Sequence, residues 1–281
     1  MGLIAKREGF PPASFVRIWM ADLFISIRNL HKTLGGKEVL CGVNLDVQRG
    51  ETLVVIGRSG CGKSVLLRHI IGLMKPTSGE VLLDGQDIVQ LSERKLDILR
   101  KTIAILFQSG ALFDSMNVED NIAFPLIEAG VDNKAQIEQR VVEALKLVDL
   151  AGEEQVMPEN LSGGMKKRVG LARAIVNHPS CILYDEPTTG LDPIASDSID
   201  HLIRRLQKRF QITSIVVTHD IKCAFYVADQ IAYLLNGRIY FKGTPAELKA
   251  SGDPLIKNFI TGTSKAQQSS TGLYPIARVQ L

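Results

Sequence analysis

The sequence has no uninterrupted apolar stretch of the roughly 20 residues that a membrane-spanning helix needs. Its four cysteines are widely spaced and form no C-x-x-C pair, which argues against disulfides and zinc and fits a reducing compartment. The formal net charge is only +3, too small an excess to indicate a nucleic-acid partner. The segment FVRIWMADLF is short and is interrupted by Arg17 and Asp22, so we expect no signal peptide there. Any membrane role is therefore expected to come through a partner protein.

The composition is that of a globular protein, with 45% apolar and 22% charged residues in a chain of 281. We expect a main domain over residues 22–261, an N-terminal extension over 1–21 with Met20 as a candidate start, and a polar tail over 262–281. In the tail, three apolar residues are candidates for docking on another subunit, with a disordered end as the alternative. They are Leu273, Tyr274 and Ile276.

Four short, continuous apolar runs predict the strands of a parallel sheet that is buried on both faces. They span residues 52–56, 103–107, 181–184 and 214–218. Helical patterns lie between them, at 63–74, 134–149, 163–177 and 194–210. This alternation predicts an α/β fold. The region from about 92 to 175 has several helical patterns and few strands, so we expect a helical subdomain there.

A second set of strands is predicted to pair antiparallel. The segment VLCGVNLDV alternates, which predicts one common face for its odd-numbered positions, Val39, Cys41, Val43, Leu45 and Val47. The segments LLDGQDI and LLNGRIYF place Asp-Gly and Asn-Gly between apolar flanks, as β-hairpins do. We therefore expect an antiparallel β portion built from both ends of the domain.

Each of the four apolar runs is followed directly by polar residues that can bind a ligand or take part in catalysis. They are the loop 57–64, Gln108, the pair Asp185 and Glu186, and His219. Because the carboxyl ends of parallel strands meet at one edge of a sheet, these groups are expected to share one site.

The first of these loops, GRSGCGKS, matches the pattern G-x-x-x-x-G-K-[ST] between a strand and a helix. Such a loop wraps its N–H groups around phosphates, with the lysine on the β- and γ-phosphates and the serine on Mg²⁺. A chance glycine-rich turn is the alternative. The expected nucleotide-binding residues are Gly57, Arg58, Ser59, Gly60, Cys61, Gly62, Lys63, Ser64 and Val65.

The other strand ends carry the predicted chemistry. Asp185 is expected to hold Mg²⁺, and Glu186 to polarise the attacking water. Gln108 is a candidate contact for both the metal and that water, and His219 is a candidate partner of the γ-phosphate. Taken alone, each has an ordinary explanation, such as a helix cap, a loop residue or a structural histidine.

A second anion-facing helix start occurs at LSGGMKKRV, where Ser162, Gly163 and Gly164 precede a basic helix. We expect these residues to reach the γ-phosphate bound by another copy of the chain, in a head-to-tail dimer. The alternative is an ordinary capped helix whose Lys166, Lys167 and Arg168 are solvated.

Residues from about 24 to 260 resemble the nucleotide-binding subunit of an ABC transporter. GRSGCGKS resembles the Walker A motif, Gln108 resembles the glutamine of the Q-loop, and LSGGM resembles the ABC signature. CILYDEP resembles Walker B with its catalytic Glu, GLDP resembles the D-loop with Asp192, and His219 resembles the switch histidine. All six motifs occur in the order that the family has. The resemblance implies an ABC-type P-loop ATPase with a RecA-like parallel sheet core, an antiparallel β portion and a helical subdomain. It also implies ATP with Mg²⁺, a catalytic set that includes Lys63, and a membrane permease as partner. Where the family has an aromatic residue for adenine, this chain has Leu34.

The segment QSGALFDSMNVEDN is similar to ATPases of Mla/Mce-type transporters, which move phospholipids between the membranes of Gram-negative bacteria. That resemblance implies a place at the cytoplasmic face of the inner membrane, an MCE-type substrate-binding protein and a small cytoplasmic subunit. Three apolar residues are candidates for a permease socket, or alternatively for the core: Phe113, Met116 and Phe124. An amino-acid-type importer ATPase is the main alternative. Two weaker alternatives are an ABC ATPase that acts on DNA or ribosomes and an ATP-binding switch that does not hydrolyse ATP. The presence of Glu186 and His219 argues against the switch.

Overall fold

Ten strands and nine α-helices make up the part of the chain that the computed structural model describes, residues 23–263. The strands are β1 (Leu23–Leu34), β2 (Lys37–Gln48), β3 (Thr52–Ile56), β4 (Ser78–Leu83), β5 (Gln86–Asp87), β6 (Ile103–Leu106), β7 (Cys181–Asp185), β8 (Thr213–Thr218), β9 (Gln230–Leu235) and β10 (Arg238–Gly243). The helices are α1 (Lys63–Ile70), α2 (Glu93–Arg100), α3 (Val118–Glu128), α4 (Lys134–Leu147), α5 (Gly163–Ile175), α6 (Pro193–Phe210), α7 (Ile221–Val227), α8 (Pro245–Ala250) and α9 (Pro254–Thr261). The expectations for the N-terminal extension, Met20 and the tail residues Leu273, Tyr274 and Ile276 lie outside the described residues.

The central element is a six-stranded sheet in the order β10-β9-β3-β8-β7-β6. All its neighbouring strands pair in parallel except β10, which pairs antiparallel with β9. Every residue of β3 and β8 is buried. Strands β3, β6, β7 and β8 are the four apolar runs, so the predicted parallel core is confirmed.

Packing on the two faces of this sheet makes three layers. In β3, Leu53 and Val55 face a core shared with α1 and the antiparallel sheet, whereas Val54 and Ile56 face a core shared with α3 to α7. A strand with an apolar cover on each side has no polar face, which explains why β3 is a continuous apolar run.

The antiparallel sheet has the order β2-β1-β4-β5. Both predicted hairpins form, and their turns at Asp84-Gly85 and Asn236-Gly237 have positive φ at all four residues. The expectation that this portion is built from both ends of the domain is wrong in one respect. The C-terminal hairpin β9–β10 extends the parallel sheet, because β9 pairs with β3.

Strand β2 carries a bulge at Gly42, where φ is 82° and the pairing with β1 shifts by one residue. An extra residue in a strand exchanges the faces that its two halves present. On the C-terminal side the predicted face is buried, at Val43, Leu45 and Val47. On the N-terminal side Leu40 is buried and Val39 and Cys41 are half-buried, so the prediction is wrong for those two residues. They lie instead beside the glycines that start α1 and join β9 to β10.

The predicted helix-rich region from about 92 to 175 contains α2 to α5 and one strand, β6. Its limits as a separate subdomain stay a prediction. None of the helices between residues 23 and 263 is long and apolar enough to cross a membrane.

Helix α6 buries a carboxyl group that should make stability depend on pH. Asp200 is 6% exposed, and burial raises its pKa to about 6, with Asp220 and Asp197 adding to the shift and the Cys223 thiol opposing it. The native state therefore binds a proton between pH 4 and 6 that the unfolded chain releases, so stability falls as pH rises through that window.

We expect Asp200→Asn to gain stability over the wild type as pH rises from 4 to 6, by roughly 2 kcal/mol, and to keep a constant advantage only above about pH 7. Urea unfolding of both proteins at pH 4.5 and pH 7.5 measures the difference. An advantage that is equal at the two pH values would contradict the assignment.

Candidate functional site

The phosphate loop (residues 57–64) connects β3 to α1 and depends on two glycines. A Cβ atom on Gly57 would lie 2.6 Å from the carbonyl oxygen of Leu234, and one on Gly62 would lie 3.0 Å from Leu40 Cδ2. Gly62 also has φ of 106°, a conformation that side chains disfavour. The loop can therefore turn this tightly into the helix only with glycine at both positions.

Burial raises the pKa of the Cys61 thiol within the phosphate loop, so this thiol stays neutral at pH 7.

Lys63 is folded back across the loop. Its side chain is 6% exposed, and Nζ donates a 2.8 Å hydrogen bond to the carbonyl oxygen of Gly57. Nζ also lies 3.2 Å from Oε1 of Glu186, which follows β7. The structure thus pairs the lysine of one strand end with the carboxylate of another.

Ser64 and Asp185 form a pair of oxygen ligands. Ser64 Oγ donates a 2.9 Å hydrogen bond to Asp185 Oδ1. Hydroxyl and carboxylate oxygens suit Mg²⁺, which typically takes one or two protein carboxylates and completes its shell with water and phosphates. Within residues 23–263 no cluster of three or more His, Cys, Asp and Glu side chains could hold a metal by itself. The donor set therefore fits a metal that arrives together with a phosphate ligand.

Glu186 has a strained backbone and a fully engaged carboxylate. Its φ is 51°, and its N–H donates to the carbonyl oxygen of Val217 at 2.9 Å. Oε2 accepts hydrogen bonds from His219 Nδ1 at 2.8 Å and from Thr189 Oγ1 at 3.2 Å. A non-glycine residue keeps such a conformation only where its surroundings hold it in place. The His219 side chain is 53% exposed, so it can also face a bound ligand.

Gln108 comes two residues after β6 and is exposed. Its carbonyl oxygen accepts a hydrogen bond from Nζ of Lys167 on α5, and the same Nζ lies 3.4 Å from the carbonyl oxygen of Glu186. Lys167 is 4% exposed, so the alternative interpretation, in which all three basic residues of this helix are solvated, is wrong for Lys167. A signal was present, because Lys167 shares the face of α5 that also carries Gly170, Leu171 and Ala174.

The turn at Ser162, Gly163 and Gly164, hereafter the signature turn, opens α5. Ser162 caps the helix, with Oγ accepting from the backbone N–H of Met165 at 3.2 Å. Ser162 and Gly163 are exposed in the single copy described, which leaves the helix start accessible to another molecule. A Cβ atom on Gly163 would lie 3.3 Å from Leu191 Cδ2, which leaves little room there for a side chain.

The structure also locates Asp192 and Leu34, two residues singled out from the sequence. Asp192 caps α6, and its Oδ1 accepts from the N–H groups of Ile194 and Ala195, both at 2.9 Å. Leu34 ends β1 and is 39% exposed. It belongs to the β1–β2 hairpin, whose residue Val39 lies against Gly62 of the phosphate loop.

The family model described as ABC transporter matches residues 40–189, which is 150 of the 281 residues. That range includes the phosphate loop, Gln108, the signature turn and the pair Asp185 and Glu186. His219 lies beyond it.

Three relatives are transport ATP-binding proteins of similar identity. The probable ribonucleotide transport ATP-binding protein mkl of Mycobacterium leprae is 40% identical, over 85% of this chain and 69% of that protein. The intermembrane phospholipid transport system ATP-binding protein MlaF of Haemophilus influenzae is 41% identical, over 87% of this chain and 93% of that protein. The methionine import ATP-binding protein MetN of Carboxydothermus hydrogenoformans is 41% identical, over 84% of this chain and 71% of that protein.

Among solved structures, the chain is similar to the ATP-binding cassette MJ0796 in a dimeric post-hydrolysis state bound to ADP and Pi. The TM-score is 0.72 and the identity 33%, over 79% of this chain and 98% of MJ0796. The predicted ABC-type fold is thereby confirmed. This chain therefore belongs to the ABC transporter family, as one of its ATP-binding and ATP-hydrolysing subunits.

Proposed function

We propose that this subunit powers the transport of phospholipids between the membranes of a Gram-negative envelope. The observation that carries the proposal is the extent of the match to MlaF. Identity to the three relatives is nearly the same, but the chain spans 93% of MlaF against 69% of mkl and 71% of MetN. The resemblance of the segment QSGALFDSMNVEDN to Mla/Mce-type ATPases points the same way.

An importer ATPase for an amino acid or another small solute is the second candidate. The 41% identity to the methionine import protein favours it as much as the identity to MlaF favours the lipid system. The two candidates share the ATPase chemistry and differ in the membrane partner and in the cargo.

For the nucleotide, we propose that the phosphate loop and Val65 bind the phosphates of ATP, with the Lys63 ammonium on the β- and γ-phosphates. Ser64 and Asp185 would hold Mg²⁺, with Gln108 as a further ligand. When bound, Mg²⁺ supplies positive charge that stabilises the negative charge developing on the transferred phosphoryl group.

The remaining groups would act on the attacking water. Glu186 is the proposed general base, because its carboxylate can accept a proton and the other carboxylate at this strand end, Asp185, is assigned to Mg²⁺. His219 holds Oε2 of that carboxylate at 2.8 Å and is exposed enough to contact the γ-phosphate as well. ATP phosphates would displace Glu186 from Lys63, which frees the carboxylate to take up its position beside the water.

We propose that the site is completed by a second copy in a head-to-tail dimer. The signature turn would contact the γ-phosphate held by the other copy, through the Ser162 hydroxyl and the N–H groups at the start of α5. The exposure of Ser162 and Gly163 supports this role, and MJ0796 is dimeric. Loss of phosphate after hydrolysis would remove these contacts and open the dimer.

For the membrane partner, we propose that a permease helix docks on the segment after Gln108. The rings of Phe113 and Phe124 lie 4.9 Å apart between centroids, and Phe113 is 42% exposed beside the half-buried Met116. The buried amide of Asn121 fixes this segment through hydrogen bonds to the backbone of Phe113 and Met116. A groove of about 340 Å³ begins next to Phe124 and runs towards α2. The exposed Phe113 ring, held in place by this segment, suits the apolar face of a helix.

This docking would place the ATPase at the cytoplasmic face of the inner membrane. An MCE-type protein and a small cytoplasmic subunit would join it within the permease complex, with no nucleic-acid partner. We also propose that residues 22–261 act as the nucleotide-binding domain and that about 92–175 acts as the subdomain facing the permease.

Affinity purification of the full chain from detergent-solubilised membranes tests the function. We expect an integral-membrane protein and bound phospholipid to copurify with the wild type. Phe113→Glu should lose both while its ATP binding stays intact, because a charge is placed in an apolar contact. Leu255→Glu, at a side chain that is 40% exposed on α9, is the control and should keep both. Copurification of a solute importer without phospholipid would support the second candidate and reject the first.

A further inference from the structure

Lys167 is a buried cation in the first half of α5. It is 4% exposed, and burial lowers the pKa of its ammonium group, an effect that the carboxylates of Asp185 and Glu186 partly oppose. None of the ion pairs found within residues 23–263 includes Lys167. Its Nζ is satisfied by the carbonyl oxygens of Gln108 and Glu186.

Fold stability gives little reason for a charge at this position. Removing an ammonium group from water costs desolvation free energy, and hydrogen bonds to carbonyl dipoles offset this cost less than a paired carboxylate does. The rest of the α5 face around Lys167 is apolar, with Gly170, Leu171 and Ala174 buried. An apolar side chain of similar length would suit the packing at least as well.

What the ammonium group does is join three segments of the candidate site. Gln108 lies at the end of β6, Glu186 lies at the end of β7, and Lys167 lies five residues after Ser162 on the helix that the signature turn opens. At 1.5 Å per residue, the distance along the helix from Ser162 to Lys167 is about 7.5 Å. A single rigid helix therefore carries both the signature turn and the ammonium group.

The contact with Glu186 falls where the backbone is strained. Glu186 has φ of 51°, and its peptide is held by the bond from its N–H to Val217 and by a 3.3 Å bond from Thr189 N–H to its carbonyl oxygen. Among residues 23–263, Lys167 is the only residue whose side chain donates a hydrogen bond to that same carbonyl oxygen, at 3.4 Å. Rotation of this peptide would move the Glu186 carboxylate, which must be aimed at the water.

We propose that Lys167 is a positioning residue that fixes the carbonyl groups of Gln108 and Glu186, and thereby the direction of the Glu186 carboxylate. The proposal rests on the proposed catalytic role of Glu186 and adds a residue to that site. Lys167 itself touches neither nucleotide nor water in this role.

The test compares Lys167→Met with the neighbouring Lys166→Met in the full-length chain. We expect Lys167→Met to lower kcat for ATP hydrolysis by about 10- to 100-fold, with KM for ATP changed less than about twofold, because misaimed catalytic groups slow the chemical step. Its melting temperature should equal or exceed that of the wild type. Lys166→Met should keep wild-type kcat, and Lys167→Arg should recover part of the loss because a guanidinium can donate to both carbonyl groups.

Hydrogen exchange of the nucleotide-free proteins supplies a readout that does not depend on activity. In Lys167→Met, peptides covering 107–110 and 186–190 should exchange faster, with the rest of the chain unchanged. Wild-type kcat in Lys167→Met, or a loss of kcat that is accompanied by a lower melting temperature and faster exchange throughout, would overturn the proposal. Phosphate release does not depend on the cargo, so a cargo other than phospholipid would reject the proposed function and leave this result standing.

Discussion

Glu186→Gln is expected to bind ATP and to lose turnover by about 10³-fold. An amide has the size of the carboxylate but cannot take a proton from the attacking water. The change also removes the ion pair between Oε1 and Lys63 Nζ, 3.2 Å apart, so Lys63 becomes freer to meet a phosphate. ATP affinity should therefore equal or exceed that of the wild type, and the nucleotide-loaded dimer should persist.

Equilibrium binding of ATP, phosphate release and the mass of the nucleotide-loaded particle by light scattering measure these three effects. Glu138→Gln on α4, at a surface position paired with Lys134, is the matched control and should behave as the wild type. Turnover near the wild-type rate in Glu186→Gln would show that another group takes the proton.

Mixing two inactive variants should restore activity if the site is shared between copies. Lys63→Met removes the ammonium from the phosphate loop, and Ser162→Arg fills the signature turn with a bulky side chain. Each alone should lower turnover by more than about 100-fold, because each removes electrostatic stabilisation from both sites of its dimer. In a mixed dimer, however, one site combines an intact Lys63 with an intact Ser162.

Random pairing of equal amounts makes half of the dimers mixed, each with one intact site of two, so the mixture should regain roughly a quarter of wild-type turnover. In the control, the Ser162→Arg chain is replaced by a chain that carries both Lys63→Met and Ser162→Arg. Mixing that chain with Lys63→Met leaves no intact site in any dimer and should stay inactive. Failure of the first mixture to recover, with dimers present, would show that the signature turn does not complete the site of the other copy.

Much of this architecture was predictable because the strands of the parallel sheet are short, mostly buried and therefore mostly apolar. Strand β3 matches the predicted run 52–56, and β8 begins one residue before its run. Parallel pairing then puts the residues after each strand at one edge, which is why Lys63, Glu186 and His219 meet as the pattern indicated.

Other features depend on tertiary contacts that have little or no local signature. The bulge at Gly42 reverses the faces of β2 because of how β1 pairs with it, and an alternating pattern cannot show an inserted residue. The helical spacing places Lys167 on the buried face of α5, but this signal is weak beside a run of three basic residues, which usually lies in solvent. The two carbonyl partners of Lys167 lie 59 and 19 residues away in sequence, so only the folded chain brings them together.

The pairing of Lys63 with Glu186 has a consequence for the resting subunit. The Lys63 ammonium group lies 3.2 Å from one oxygen of the Glu186 carboxylate, and Nδ1 of His219 lies 2.8 Å from the other. If ATP binds at Lys63 as proposed, its phosphates would replace the Glu186 carboxylate as the partner of the ammonium group, and the carboxylate would then be free to act on the attacking water. The subunit would thus hold its general base in an ion pair between catalytic cycles, and ATP binding would release it.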